Sequence, residues 1–147
     1  IIIPDSVEEI GEMVFNGCKS LKEITIPDSV SYIGDGAFSG CEGLADENGF
    51  VIVEGVLYDY YGEDENITIP DSVIKMGYET FFDFIHVKRI VIPPSVEFFG
   101  FAVKKDADCF IEDDELFCNY NNITICCSEN SHAHKYMEKN NIKYELI

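Results

Sequence analysis

Ile24-Thr25-Ile26-Pro27-Asp28-Ser29-Val30 decides the fold, because the chain writes this stretch several times. Ile1-Ile2-Ile3-Pro4-Asp5-Ser6-Val7 precedes it, and Ile67-Thr68-Ile69-Pro70-Asp71-Ser72-Val73 and Ile90-Val91-Ile92-Pro93-Pro94-Ser95-Val96 follow. Pro4 and Pro27 stand 23 residues apart, as do Pro70 and Pro93, whereas Pro27 to Pro70 is 43, one period plus an insertion of 20. Self-similarity at a period of about 20–50 residues is the sequence mark of a solenoid.

Each repeat has a physical grammar. Ile24-Thr25-Ile26 alternates with a period of two, so its isoleucines face one side of a strand and its threonine the other. The proline stops the strand, having no N–H for a ladder. Asp-Ser then forms a turn, because short oxygenated side chains bond nearby backbone N–H groups. A buried aliphatic pair follows (Val7 and Ile10, Val30 and Ile33, Val73 and Met76), and then a glycine at a sharp corner: Gly11, Gly34, Gly77 and Gly100. Next comes a short helical turn ending in an aromatic, at Val14-Phe15, Ala37-Phe38 and Thr80-Phe81. Gly17-Cys18 and Gly40-Cys41 close it, and Leu21, Leu44 or Val87 leads into the next strand.

These residues resemble the BspA-like class of leucine-rich repeat, whose pattern is similar to I-x-I-P-x-S-V-x-x-I-G-x-x-A-F-x-G-C-x-x-L. The resemblance covers residues 1 to about 107, with departures at Asp83-Phe84, Lys104 and Ala107. It implies an α/β fold, a right-handed, horseshoe-like solenoid of parallel strands and short helical turns. It also implies a bacterial cell-surface or secreted protein that contacts other macromolecules.

The repeats, beginning near residues 3, 26, 69 and 92, form one domain over 1–147. Two stretches break the pattern. In Gly49 to Tyr61, two β-rich runs flank Glu54-Gly55, which reads as a β-hairpin. A second hairpin is expected at about 109–120, and each is followed by Asn-Ile-Thr-Ile, at Asn66 and Asn122. A cap closes the chain from about 126 to 147: Ser131 as N-cap, a helix carrying Ala133, Tyr136 and Met137 on one face, an end at Asn140-Asn141 and a last strand over 142–147.

The register follows from the alternation. Ile3, Ile26, Ile69, Ile92 and Ile125 are expected in one buried column, with Ile2, Thr25, Thr68, Val91 and Thr124 in a parallel exposed column. Cys18 and Cys41, at one repeat position, are expected as buried thiols beside Phe15 and Phe38, a disulfide between adjacent coils being the alternative. Pairing among Cys109, Cys118, Cys126 and Cys127 stays open.

With 28 acidic against 10 basic residues the formal net charge is −18, a surface that repels nucleic acid and anionic membranes. No run of about 18 apolar residues offers a membrane span. The chain opens in mid-repeat without a signal peptide, so it reads as a piece of a longer extracellular or cell-surface protein whose export signal lies elsewhere. Ile1 to Ile3 form an apolar strand edge, which is expected to favour self-association.

Chemistry-bearing residues are few. Cys126, Cys127, His132 and His134 lack the spacing of a zinc site, and no Ser/His/Asp set is recognisable, His86 having no evident partner. The acidic runs 63–65 and 112–115 read as solvated loops, and the sequons at Asn66 and Asn122 as strand sequence. No cofactor is expected. The residues therefore favour a non-catalytic binding or adhesion module for a protein or glycan, using Glu23, Thr25, Asn66, Thr68, Arg89, Val91 and, at Asn122, a further polar group on the strand face. Tyr58, Tyr60 and Tyr61 of the first hairpin would add contact area, unless they pack it against the coil. The alternatives are a structural spacer, or an enzyme or metal-dependent protein with a site assembled across repeats.

Overall fold

The computed structural model describes residues 1–77, 80, 86–100, 103–104 and 123–147. The second hairpin, Asn122, Phe81, Cys109 and Cys118 lie outside them. The described chain is a β-solenoid whose coils stack by parallel pairing. Its strands in order are β1 (Glu9–Ile10), β2 (Tyr32–Ile33), β3 (Phe50–Val53), β4 (Val56–Tyr60), β5 (Asn66–Thr68), β6 (Lys75–Met76), β7 (Arg89–Ile92), β8 (Phe98–Phe99), β9 (Val103–Lys104), β10 (Thr124–Cys127) and β11 (Tyr144–Leu146). Helix α1 (His132–Lys139) precedes the last strand.

One face carries the sheet β11-β10-β7-β5, preceded by an isolated parallel bridge from Ile2 to Thr25. A second face carries β1-β2-β9 and β3-β4-β6-β8. Between the faces the chain turns at the Pro-Asp-Ser corner, closed by Val7, Val30, Val73 and Val96 N–H groups donating to the carbonyls of Pro4, Pro27, Pro70 and Pro93. The expected helical turns are single turns in coils one and two. Cys18 N–H donates to Phe15 O and Cys41 N–H to Phe38 O, and the adjoining 3-10 helix is only Glu42–Leu44.

The alternation of the repeat holds. Ile69, Ile92 and Ile125 are buried while Thr25 and Thr68 are exposed. The columns need two corrections. Ile3 and Ile26 are only half-buried. In the fifth row Ile125 lies opposite Ile90, Cys126 opposite Val91 and Cys127 opposite Ile92. The row is therefore displaced by two residues from the register that the Asn-Ile-Thr-Ile likeness suggested. A shift of two leaves every side chain on its expected face, so alternation cannot detect it. The inner column runs Ile69, Ile92, Cys127, with cysteine filling an isoleucine position as a small hydrophobe.

The hairpin forms as expected, with β3 and β4 antiparallel and a bulge between Val51 and Ile52. Glu54 and Gly55 both have positive φ, at 50° and 74°, the backbone of a two-residue primed turn. Both of its faces are buried. Val51, Val53 and Tyr58 join the core of the first two coils; Phe50, Leu57 and Tyr60 join that of the later coils. The hairpin is thus a septum between two cores. It is bonded to coil three through β4–β6, and through the Thr80 hydroxyl, which lies 2.8 Å from Leu57 O. Asp59 ties it to coil two by accepting the Gly40 N–H at 2.6 Å.

Cys41 is buried as expected, its thiol donating to Phe15 O at 3.0 Å, but Cys18 is exposed. The repeat position is the same. Coil one covers Cys41, whereas none of the described residues covers Cys18. Phe15 is half-buried for the same reason and stacks on the fully buried Phe38 at 5.3 Å.

The cap matches its sequence. Ser131 Oγ accepts the His134 N–H at 3.1 Å, satisfying a donor in the first turn. Ala133, Tyr136 and Met137 are buried, and Tyr136 stacks on Phe99 at 4.6 Å. Asn141, at φ 55°, takes the left-handed conformation that ends the helix. Cys126 and Cys127 belong to the last repeat strand, so the cap proper begins after them. No helix among the described residues is long and apolar enough to cross a membrane.

Candidate functional site: the strand face

The outward residues of β5, β7 and β10 form two rows. Asn66, Arg89 and Thr124 lie side by side in one, and Thr68, Val91 and Cys126 in the next. Asn66 and Thr68 are exposed; Arg89, Val91 and Thr124 are half-buried. Strand alternation puts these groups outside, and the isoleucines between them anchor each strand by burying a side chain worth about 1.5–3 kcal/mol.

Charge pairs frame the rows. Arg89 donates to Glu145 Oε2 at 3.0 Å, reaching across β10 to β11. Cys126, outward-facing yet fully buried, lies under this pair, its thiol 3.8 Å from the same carboxylate oxygen. Burial raises the Cys126 pKa; the Arg89 charge lowers it and Glu145 raises it. Lys88 meets Glu65 Oε1 at 2.6 Å in an exposed pair. Such pairs add little stability, but they hold Lys88 and Arg89 at fixed positions. Glu145 was not legible as a member of the site, because its place beside Arg89 depends on the path of the intervening 55 residues.

The other expected contact residues divide. Glu23 and Thr25 are exposed, but the Ile2–Thr25 bridge stands outside the sheet that contains β5. They form a separate patch, and the hairpin septum is the reason. Tyr58 and Tyr60 are 4% and 6% exposed, which corrects their expected role as contact area. They pack the hairpin, Tyr58 edge-on to Phe38 at 5.4 Å and Tyr60 against Phe50 at 4.8 Å. Tyr61 alone of the three is exposed, its hydroxyl donating to Asp59 Oδ2 at 3.3 Å. The charge of Asp59 and that hydrogen bond add to burial in raising the Tyr61 pKa.

His86 and His134 also have partners that the sequence did not reveal. His86 Nε2 lies 3.1 Å from Gly62 O, and its ring stacks near Tyr60. His134 Nδ1 accepts the Asn130 N–H at 3.0 Å, and Nε2 lies 2.9 Å from the Tyr144 hydroxyl. Tyr144 in turn donates to Glu138. This relay binds the helix to β11. Cys126 and Cys127 face opposite sides of β10, and no group of three or more His, Cys, Asp or Glu among the described residues is placed to hold a metal ion.

A stack of parallel coils with an inward aliphatic ladder and the I-x-I-P-x-S-V corner defines a leucine-rich-repeat solenoid. Residues 1–100 and 53–143 match the model of the BspA type leucine rich repeat region, in six copies. The chain belongs to that family. It is similar to the crystal structure of a leucine rich cell surface protein from Faecalibacterium prausnitzii A2-165, with 29% identity and a TM-score of 0.42. The likeness covers 66% of this chain and 30% of that one, so the chain spans under a third of that protein's length. No curated protein matches it.

Proposed function

We propose that this chain is a non-catalytic binding or adhesion module of a secreted or cell-surface protein, which holds a protein or glycan partner on the face of β5, β7, β10 and β11. The observation that carries this reading is the row of outward polar groups Asn66, Arg89 and Thr124, with Thr68 beside it, on a parallel sheet. Asn66, Arg89 and Thr124 lie side by side on successive strands about 4.8 Å apart, and Arg89 is held in place by Glu145. Sites on rigid elements fix such groups more closely than loops do. The family supports a surface location, and the acidic composition suits an exposed, soluble protein.

The test begins with unbiased screening of the chain against extracellular proteins and a glycan array. Arg89→Ala, Thr68→Arg and Tyr61→Ala are then measured singly against any ligand found. Loss of binding in the first two, with unchanged circular dichroism, is expected. Full binding by every folded variant would refute the strand face. Binding lost only through changes on the second face would transfer the site there. A chain that binds nothing in either screen would be a spacer.

A further inference from the structure

In the sheet β11-β10-β7-β5, β11 is an outer strand, and among the described residues it pairs with β10 alone. Ile147 N–H donates to Cys127 O at 3.1 Å, and in a parallel ladder the backbone groups of successive residues point to opposite sides. Those of Glu145 and Ile147 therefore serve β10, and those of Tyr144 and Leu146 point away from it. The Tyr144 ring is turned to α1, its hydroxyl 2.9 Å from His134 Nε2. Leu146 and Ile147 are 48% and 61% exposed. An open edge flanked by apolar side chains is a template for another strand.

The sequence along this edge is complementary to itself. Read against its own reverse about Tyr144, Ile142-Lys143-Tyr144-Glu145-Leu146 sets apolar against apolar and cation against anion. By alternation Lys143 and Glu145 share the outward face. Lys143 is exposed and joins no ion pair among the described residues. Glu145 meets Arg89 and Cys126 through Oε2, which leaves Oε1 outside both contacts. Two copies also repel least here. Residues 123–147 carry 3 acidic and 3 basic side chains, against 28 and 10 in the whole sequence.

We propose that β11 is a dimerisation edge, on which a second copy of this chain docks its own β11 in an antiparallel register centred on Tyr144. Tyr144 exchanges N–H and C=O bonds with its counterpart, since both direct these groups at the edge. Lys143 then stands opposite the second copy's Glu145, in a non-hydrogen-bonded pair where side chains approach most closely. The two-fold axis repeats the contact. Opposite charges directly across such a pair stabilise it, and like charges do the reverse. Leu146 lies opposite the second copy's Ile142. Two four-stranded sheets become one of eight, with two rows of Asn66, Arg89 and Thr124 on a single surface. The contact does not need the ligand reading of that surface, and either can fail without the other.

Sedimentation velocity of the full chain from about 10 μM to 1 mM measures the contact, at about 0.15 M salt to screen the net charge. A reversible equilibrium is expected, the mass rising from 16.6 kDa towards twice that value. Lys143→Glu and Glu145→Lys each set like charges opposite one another and should weaken the dimer about tenfold. An equimolar mixture of the two should dimerise again, because every mixed pair unites opposite charges. Lys22→Glu changes the net charge as Lys143→Glu does, at a distant exposed site, and should dimerise as the parent does. Circular dichroism confirms that each variant is folded. In the parent, amide exchange of Tyr144 and Leu146 should slow as the dimer forms; unchanged exchange there would overturn the proposal without recourse to any variant. A monomer at 1 mM, equal weakening by Lys22→Glu, or a mixture no stronger than its components would also overturn it. Loss of the dimer in Ile2→Glu, with Lys143→Glu unaffected, would move the contact to the Ile1–Ile3 edge and refute β11.

Discussion

Replacing Phe38 by alanine tests the stacking of the coils most directly. The ring is fully buried, lies parallel to Phe15 at 5.3 Å and meets Tyr58 edge-on at 5.4 Å. It therefore joins coil one, coil two and the hairpin. Truncating a core phenylalanine costs about 3–5 kcal/mol, from lost transfer free energy plus the cavity left behind. Two aromatic contacts, each worth about 0.5–1.5 kcal/mol beyond area, place this site in the upper part of that range. The corresponding fall in Tm is about 8–15 °C for a chain of this size. Phe15→Ala, at the same repeat position but half-buried, should cost about half as much. Urea unfolding followed by tyrosine fluorescence reads both, since the chain has no tryptophan and Tyr58 touches the ring. A Phe38→Ala cost below about 1 kcal/mol, against the usual range, would refute the packing. Equal costs at the two positions would refute the role given to the coil that covers Phe38.

Other perturbations separate features that share one repeat position. Gly34→Ala should destabilise by about 1–3 kcal/mol, because a Cβ there would meet the Glu12 nitrogen at 2.3 Å; Gly11→Ala, with only a Val14 methyl at 3.4 Å, should be tolerated, and thermal melts compare them. Iodoacetamide labelling of native protein read by mass spectrometry should modify Cys18 quickly and Cys41, Cys126 and Cys127 slowly. Arg89→Ala should accelerate labelling of Cys126 selectively by opening the roof above it; an unchanged rate would show that the ion pair is not what shields the thiol. Burial, then the charge of Asp35, raises the Tyr58 pKa. Its contribution to stability is fully present below the ordinary tyrosine value of about 10 and is lost as pH rises through the folded value. Tyr58→Phe should therefore unfold less readily in alkali than the parent, which chemical denaturation between about pH 9 and 12 measures.

The solenoid was legible because its determinants are local and repeated. Proline after an alternating triplet, a glycine corner and the Glu54-Gly55 turn each restrict the backbone where they stand. Ser131 likewise marks the start of a helix by its side-chain chemistry. What escaped the sequence depends on neighbours in space. Cys18 and Cys41 are the same residue in the same motif, yet one is exposed and the other buried, because burial belongs to the stack and not to the motif. The two-residue displacement at Ile125 was invisible because it conserves the face of every side chain. Tyr58 and Tyr60 suggested a contact surface since alternation normally buries only one side of a strand, whereas this hairpin is covered on both. The Arg89–Glu145 pair had no local signal.

That doubly covered hairpin changes how the chain can acquire its structure. In a linear array each unit touches only its neighbours, so order spreads from coil to coil. The segment between Phe50 and Tyr60 interrupts the series, yet its own strand pairing is short in sequence. It can close on the microsecond scale of isolated hairpins, before either flank is ordered. Once closed it offers Val51, Val53 and Tyr58 on one side and Phe50, Leu57 and Tyr60 on the other, two ready templates from which ordering can proceed in both directions. An irregularity in the repeat pattern would then be the place where folding starts.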